Sequence, residues 1–130
     1  MLLACTPQQP VTSQDISEPG SLVHDVEGNV IEITEAGYTP NPLTVKQGDT
    51  ITWVNKDTEA HWIASAQHPT HTLYPGSDIK KCGSGETIFD ACKRLAQGES
   101  FTFTFNEIGE WNYHDHLNPG PPFYGKIIVE

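Results

Sequence analysis

Short runs of alternating apolar and polar residues, separated by turn-forming residues, most constrain how this chain can fold. The segment ESFTFTF (99–105) places three phenylalanines on one face and hydroxyl side chains on the other, which is the two-residue period of a half-buried strand. Gly48 and Asp49 mark a turn between two further runs. The pattern predicts an all-β sandwich or barrel. The other predicted strands are VIEIT (30–34), the two halves of NPLTVKQGDTITWVNKD (41–57), AHWIAS (60–65), GEWNYHDH (109–116) and YGKIIVE (124–130).

Two segments lack the strand pattern. Residues 66–85 are rich in turn formers and are predicted to form a long loop. Residues 86–96, ETIFDACKRLA, are predicted to form a short helical segment of one or two turns that ends near Gly98.

The first residues predict an exported lipoprotein. Leu2-Leu3-Ala4-Cys5 resembles a bacterial lipobox, in which Cys5 would become the lipidated N-terminus. The charged and apolar regions that normally precede a lipobox are absent from this sequence, which is compatible with a start upstream of Met1. The alternative is a chance occurrence of these four residues. On the lipobox interpretation the protein is periplasmic or on the cell surface.

The length of 130 residues favours one domain. We predict a remnant of the lipoprotein signal over residues 1–5, a flexible polar tether over 6–28 and the folded domain over 29–130. Because no apolar stretch is long enough for a membrane-spanning helix, the expected membrane contact is the lipid anchor alone.

Charge excludes one class of partner. Seventeen acidic and seven basic residues give a formal net charge of −10, so no basic stripe is available to neutralise phosphates. We therefore expect no nucleic-acid partner.

Three cysteines fit export. If Cys5 carries lipid, Cys82 and Cys92 remain as a pair that closes a short loop, and an oxidising compartment favours a disulfide between them. The alternative is that one of the two is a soft copper ligand.

Histidines are clustered along the sequence. The chain has six, and only His24 stands apart from two segments, HWIASAQHPTH (61–71) and YHDH (113–116). Clustered imidazoles are a strong signal for a metal site. The alternative is a histidine-rich segment without metal. The candidate ligands are His61, His68, His71, His114 and His116.

Most of residues 29–130 resembles the cupredoxin family, of which plastocyanin is a familiar member. The resemblance rests on YTPNPLTVKQGDTITWVNKD, the single histidine after that strand (His61), FTFTF, and GEWNY with GKIIV at the end. It implies a Greek-key β-sandwich, in which the two histidine segments are neighbours. It also implies copper as the cofactor and electron transfer as the activity.

The sulfur ligand of a blue-copper site is missing. His61 matches the first histidine ligand of such family members, but their cysteine position falls on Asp115. Their second histidine position falls on Asn118, and their methionine position falls on Phe123. A blue site needs a thiolate, so we predict a site that is not blue.

The segment WNYHDH (111–116) is also similar to the WYHSH motif of multicopper oxidases, whose domains share this fold. In a strand His114 and His116 point the same way and Asp115 points oppositely. Asp115 is therefore predicted to accept a hydrogen bond from a histidine ligand, with a weak ligand as the alternative, and Asn118 is predicted to fix the loop.

Imidazole ligands suit Cu(II), and also zinc or nickel, and the resemblance favours copper cycling between Cu²⁺ and Cu⁺. We predict an exported copper-binding protein that acts in electron transfer or copper handling with a redox or copper-exchange protein as partner. The alternatives are a small copper- or zinc-dependent redox enzyme and a metal-free interaction module.

Overall fold

The computed structural model describes residues 29–130, which form two four-stranded sheets packed face to face. The predictions for Cys5, for the tether and for His24 lie outside the described residues. Within residues 29–130 no helix has the length and hydrophobicity needed to cross a bilayer.

The first sheet has the strand order β2-β1-β4-β6, and the second has the order β3-β8-β7-β5. Strands β1 and β4 are parallel, as are β3 and β8, and the other neighbouring pairs are antiparallel. The all-β sandwich predicted from the sequence is thus confirmed. The strands are β1 Val30–Thr34, β2 Gly37–Thr39, β3 Leu43–Val45, β4 Thr50–Asn55, β5 Ile63–Ser65, β6 Ser100–Thr104, β7 Gly109–Asp115 and β8 Tyr124–Val129.

The prediction of a short helical segment at residues 86–96 is wrong. This segment instead runs along the edge strand β5, where Ser65 N donates to Phe89 O and Ala91 N donates to Ile63 O, both over 2.8 Å. Pairing with an edge strand satisfies backbone groups that a helix would have bonded internally. A 3-10 turn forms earlier, at Ile79–Lys81.

Aromatic side chains fill the space between the sheets. Trp53 is fully buried, and its ring centroid lies 5.3 Å from that of Tyr113 and 5.5 Å from that of Phe89. Phe103 and Phe105 face the same core, as the alternation predicts. The register of β7 and β8 sets Gly125 opposite Tyr113, where a Cβ would overlap the tyrosine ring. Glycine at this position leaves room for the tyrosine ring against β8.

Candidate metal centre

Four of the five predicted histidine ligands meet at one place. One ring nitrogen from each of them lies within 4.8 Å of the others. We call this group the four-histidine cluster; it consists of His68, His71, His114 and His116.

Strand β7 separates this cluster from the core. Tyr113 points between the sheets, so the alternation of the strand turns His114 to the opposite, outer face of the second sheet. His116 follows directly after the strand, and its backbone N–H donates to Trp62 O over 2.7 Å. The predicted His-x-His pair therefore contributes both of its rings to one site.

The loop after β5 supplies the other two rings. His71 N donates to Gln67 O and Leu73 N donates to Ala66 O, each over 2.7 Å, which folds the loop tightly. His71 has a φ of 61°, a left-handed conformation that is uncommon outside glycine. Its side chain is fully buried, whereas His68 stays exposed at the mouth of the cluster.

His114 is the buried centre of the cluster. Its side chain is 2% exposed, and within the described part of the chain neither ring nitrogen has a hydrogen-bond partner. Burial, followed in importance by the neighbouring His71 and His68, lowers the pKa of this imidazole from 6.5 to about 4. The ring is therefore neutral at pH 7, with a lone pair free to bind a metal.

His71 and His116 are spaced like two ligands of one ion. His71 Nε2 lies 3.1 Å from His116 Nδ1. Two nitrogens bound at about 2.0–2.1 Å to one ion, at angles between about 90° (square) and 109° (tetrahedral), are separated by roughly 2.8–3.4 Å. The pKa of His116 is also lowered, chiefly by burial and to a smaller extent by the neighbouring histidines.

His71 has a carboxylate partner that the sequence did not reveal. Its Nδ1 lies 2.6 Å from Asp90 Oδ2, and both side chains are buried. Asp90 is 19 residues away in a segment with no local metal motif, so the only available signal was its position two residues before Cys92.

The fifth histidine, His61, is apart from the cluster. Its Nδ1 lies 2.5 Å from Asp115 Oδ2, and its Nε2 lies 2.8 Å from Asp57 Oδ2. The hydrogen bond from His61 lowers the pKa of Asp57. Both ring nitrogens of His61 therefore face carboxylate oxygens, and neither is directed at the four-histidine cluster.

Asp115 supports His61 rather than the cluster. It is fully buried, and its Oδ1 accepts from the backbone N–H groups of Trp62 and Leu117, each over 2.9 Å. Asn118 Nδ2 donates to Asp115 Oδ2 over 3.0 Å, and the ring of Phe123 lies 4.8 Å from the ring of His61. Hydrogen bonds thus join His61 and Asn118 to Asp115, and Phe123 packs against the imidazole of His61.

Cys82 and Cys92 form the predicted disulfide. This bond ties the end of the long loop to the segment that carries Asp90. Cys92 is two residues after Asp90, the carboxylate that contacts His71. Because its sulfur atom is bonded to that of Cys82, neither sulfur is free to bind a metal.

A groove of about 760 Å³ lies beside the cluster on the outer face of the second sheet. His68 and His114 form part of its wall, together with Tyr124 and Lys126. Lys126 Nζ donates to Glu110 Oε1 over 3.0 Å at this face. His68 and His114 are thus the two cluster residues that border the groove.

Comparison with known proteins identifies the family. A model of the cupredoxin-like domain matches residues 11–129. This chain belongs to the cupredoxin-like family. The family match begins inside the segment predicted to be a tether, so it extends beyond the residues that the structure describes.

Individual cupredoxins resemble the chain over much of its length. An amicyanin from Paracoccus versutus is 28% identical over 128 residues, which cover 98% of this chain and 78% of that protein. A plastocyanin from a Synechococcus strain is 30% identical over 94 residues, which cover 71% of this chain and 62% of that protein.

Solved structures agree on the fold. The reduced Cu(I) form of an amicyanin mutant superposes with a TM-score of 0.56 at 26% identity, covering 78% of this chain and 80% of that one. A purple cupredoxin from Nitrosopumilus maritimus gives a TM-score of 0.58 at 24% identity, covering 78% of this chain and 98% of that one. The resemblance to cupredoxins inferred from the sequence is confirmed.

The four-histidine cluster fits a transition-metal ion. All its donors are imidazole nitrogens, which suit Cu(II) and zinc. Among residues 29–130 no methionine occurs and both cysteines are oxidised, so a thiolate or thioether ligand is not available there. Neither of the two buried ring nitrogens of His114 has a hydrogen-bond partner among residues 29–130, and one of them is the atom that a metal ion would satisfy.

Proposed function

We propose that this protein is an exported cupredoxin that binds copper through the four-histidine cluster and acts in electron transfer or copper handling. His68, His71, His114 and His116 are the proposed ligands, and no sulfur atom takes part. The single observation that supports this proposal most is the pair of buried, hydrogen-bond-free nitrogens of His114 among three other imidazoles. Such a group is costly to bury unless a ligand satisfies it.

Copper is favoured over zinc by the family. The relatives include amicyanin, which has been solved in a reduced Cu(I) form. Four neutral imidazoles would hold Cu(II) in a tetragonal environment, and such a site has weak colour because it lacks the copper–thiolate bond. The lipobox-like Cys5 and the disulfide support export, since disulfides persist in oxidising compartments.

Titration of the full chain with Cu(II) tests this proposal. We expect one copper per chain with a dissociation constant below about 1 µM, weak visible absorption, and a paramagnetic resonance spectrum with nitrogen hyperfine structure. His24→Ala is the matched control, because it removes one histidine but none of the four proposed ligands. Intense blue absorption would reveal a sulfur ligand, and weak, non-stoichiometric binding would favour the metal-free interaction module.

The groove beside His68 and His114 supports a second candidate function, a small copper- or zinc-dependent redox enzyme. An enzyme needs a ligand position that a substrate or water can occupy. Addition of azide to the copper-loaded protein distinguishes the candidates. A changed copper spectrum indicates an open position and favours the enzyme, whereas an unchanged spectrum with reversible reduction to Cu(I) favours the electron carrier.

A further inference from the structure

Asp90 is a buried carboxylate whose two oxygen atoms both take part in hydrogen bonds. Its Oδ2 lies 2.6 Å from His71 Nδ1. Its Oδ1 accepts from Trp62 Nε1 over 2.7 Å and from the backbone N–H of Cys92 over 2.8 Å. An ionised carboxylate can only accept, and here it faces three donors.

These contacts determine which nitrogen of His71 carries the proton. Because Asp90 accepts from Nδ1–H, the lone pair of the neutral ring is on Nε2. Nε2 is the nitrogen that faces the four-histidine cluster, 3.1 Å from His116 Nδ1. A carboxylate behind the ring also increases the basicity of the ligating nitrogen.

We propose that Asp90 is the positioning residue that holds His71 in its metal-binding tautomer and orientation. This inference rests on the proposed four-histidine site. It assigns to Asp90 the role that the sequence suggested for Asp115, which instead contacts His61.

The backbone around Asp90 is fixed from both sides. Ala64 and Asp90 form an antiparallel bridge, and the disulfide joins Cys92 to Cys82. Trp62, which donates to Asp90, also has its ring centroid 4.6 Å from that of His116. The carboxylate is therefore in place before a metal arrives, which reduces the ordering that binding would otherwise require.

The variant Asp90→Asn tests the inference because an amide has one acceptor and one donor group. Trp62 Nε1 and Cys92 N both need the acceptor oxygen, so the amide NH₂ is left facing His71 Nδ1. That contact favours the tautomer with the proton on Nε2, where it blocks the metal. We expect a 10- to 100-fold loss of Cu(II) affinity, the range typical for loss of such a partner.

Asp57→Asn is the matched control, because Asp57 also contacts a histidine ring, but that of His61 outside the cluster. We expect copper affinity of Asp57→Asn within about twofold of the wild type. Nitrogen-15 resonances of the ring in metal-free protein report the tautomer directly. His71 should carry its proton on Nδ1 in the wild type and on Nε2 in Asp90→Asn.

The two readouts separate this inference from the proposed function. If the wild type fails to bind copper, the proposed function fails, while the tautomers still test Asp90. If the wild type binds copper and Asp90→Asn binds equally well, the inference is overturned alone. Should the variant not fold, a wild-type His71 with its proton on Nε2 would overturn the inference by itself.

Discussion

The imidazole of His61 and the carboxylate of Asp115 form a buried hydrogen bond in this cupredoxin, with Nδ1 and Oδ2 2.5 Å apart. From the sequence resemblance, His61 is expected at the first histidine-ligand position of blue-copper proteins and Asp115 at their cysteine position. A hydrogen-bonded pair thus occupies the space between the sheets, and the four-histidine cluster lies on the outer face of the second sheet. His114 and Asp115 are consecutive residues of strand β7, so their side chains point to opposite faces of the second sheet and belong to different groups.

Replacing His114 should abolish tight copper binding, whereas replacing His61 should not. His114→Ala removes the central ligand and is expected to lower Cu(II) affinity by about 100-fold or more. His61→Gln removes a ring whose nitrogens both face carboxylates, so its copper affinity should stay close to that of the wild type. Isothermal titration calorimetry on both variants measures this. Unchanged affinity in His114→Ala and in His116→Ala would move the site towards His61 and the loop.

Asp115 is expected to contribute to stability rather than to copper affinity. Asp115→Ala leaves the buried His61 ring and the N–H groups of Trp62 and Leu117 without their acceptor. Breaking a buried charged network costs about 3–5 kcal/mol of unfolding free energy. Urea unfolding of the metal-free protein measures the loss. Asp57→Ala, which removes the more exposed carboxylate, should cost less, and equal losses would contradict the assignment.

Acid should destabilise the metal-free protein through His114. Its pKa is about 4 in the folded state and about 6.5 in an unfolded chain, so the unfolded chain binds more protons between these values. Stability is therefore full above about pH 6.5 and falls as the pH approaches about 4. We expect the unfolding free energy to fall by about 1–2 kcal/mol. This is less than the full pKa shift of His114 implies, because solvent reaches the cluster at His68.

Urea unfolding at about pH 7.5 and about pH 5 measures this loss. His114→Leu should unfold with a weaker dependence on pH, since the buried titrating group is gone. His68→Ala removes an exposed ring and should keep most of the dependence. Equal pH profiles for the wild type and His114→Leu would show that another group is responsible.

Copper should quench the fluorescence of one tryptophan in particular. The Trp62 ring centroid lies 4.6 Å from that of His116, a proposed ligand. A redox-active ion bound by His116 would deactivate the excited indole beside it. The quench should follow the copper titration to one equivalent and should be largely lost in Trp62→Phe. Trp111→Phe is the control, because Trp111 packs against Tyr74 and is not in contact with the cluster. A quench that persists in Trp62→Phe would place the copper elsewhere.

Local periodicity predicted the strands because alternation is a property of neighbouring residues. Phe103 and Phe105 reach the core as expected, and His114 leaves β7 on the face opposite Asp115. Residues 86–96 have a composition that a helix tolerates, but pairing with β5 outweighed that weak local preference.

The sequence by itself determined that this chain is a β-sandwich with a His-x-His pair and two further histidines on a nearby loop. Only the tertiary structure decided which residues share a site. Asp90 contacts His71 because the edge of β5 and the disulfide hold their segments together. His61, which lies just before β5, is apart from the cluster because its imidazole faces Asp115 instead. Hydrogen-bond partners depend on which faces and loops pack against each other, and that packing is not encoded in the spacing of residues along the chain.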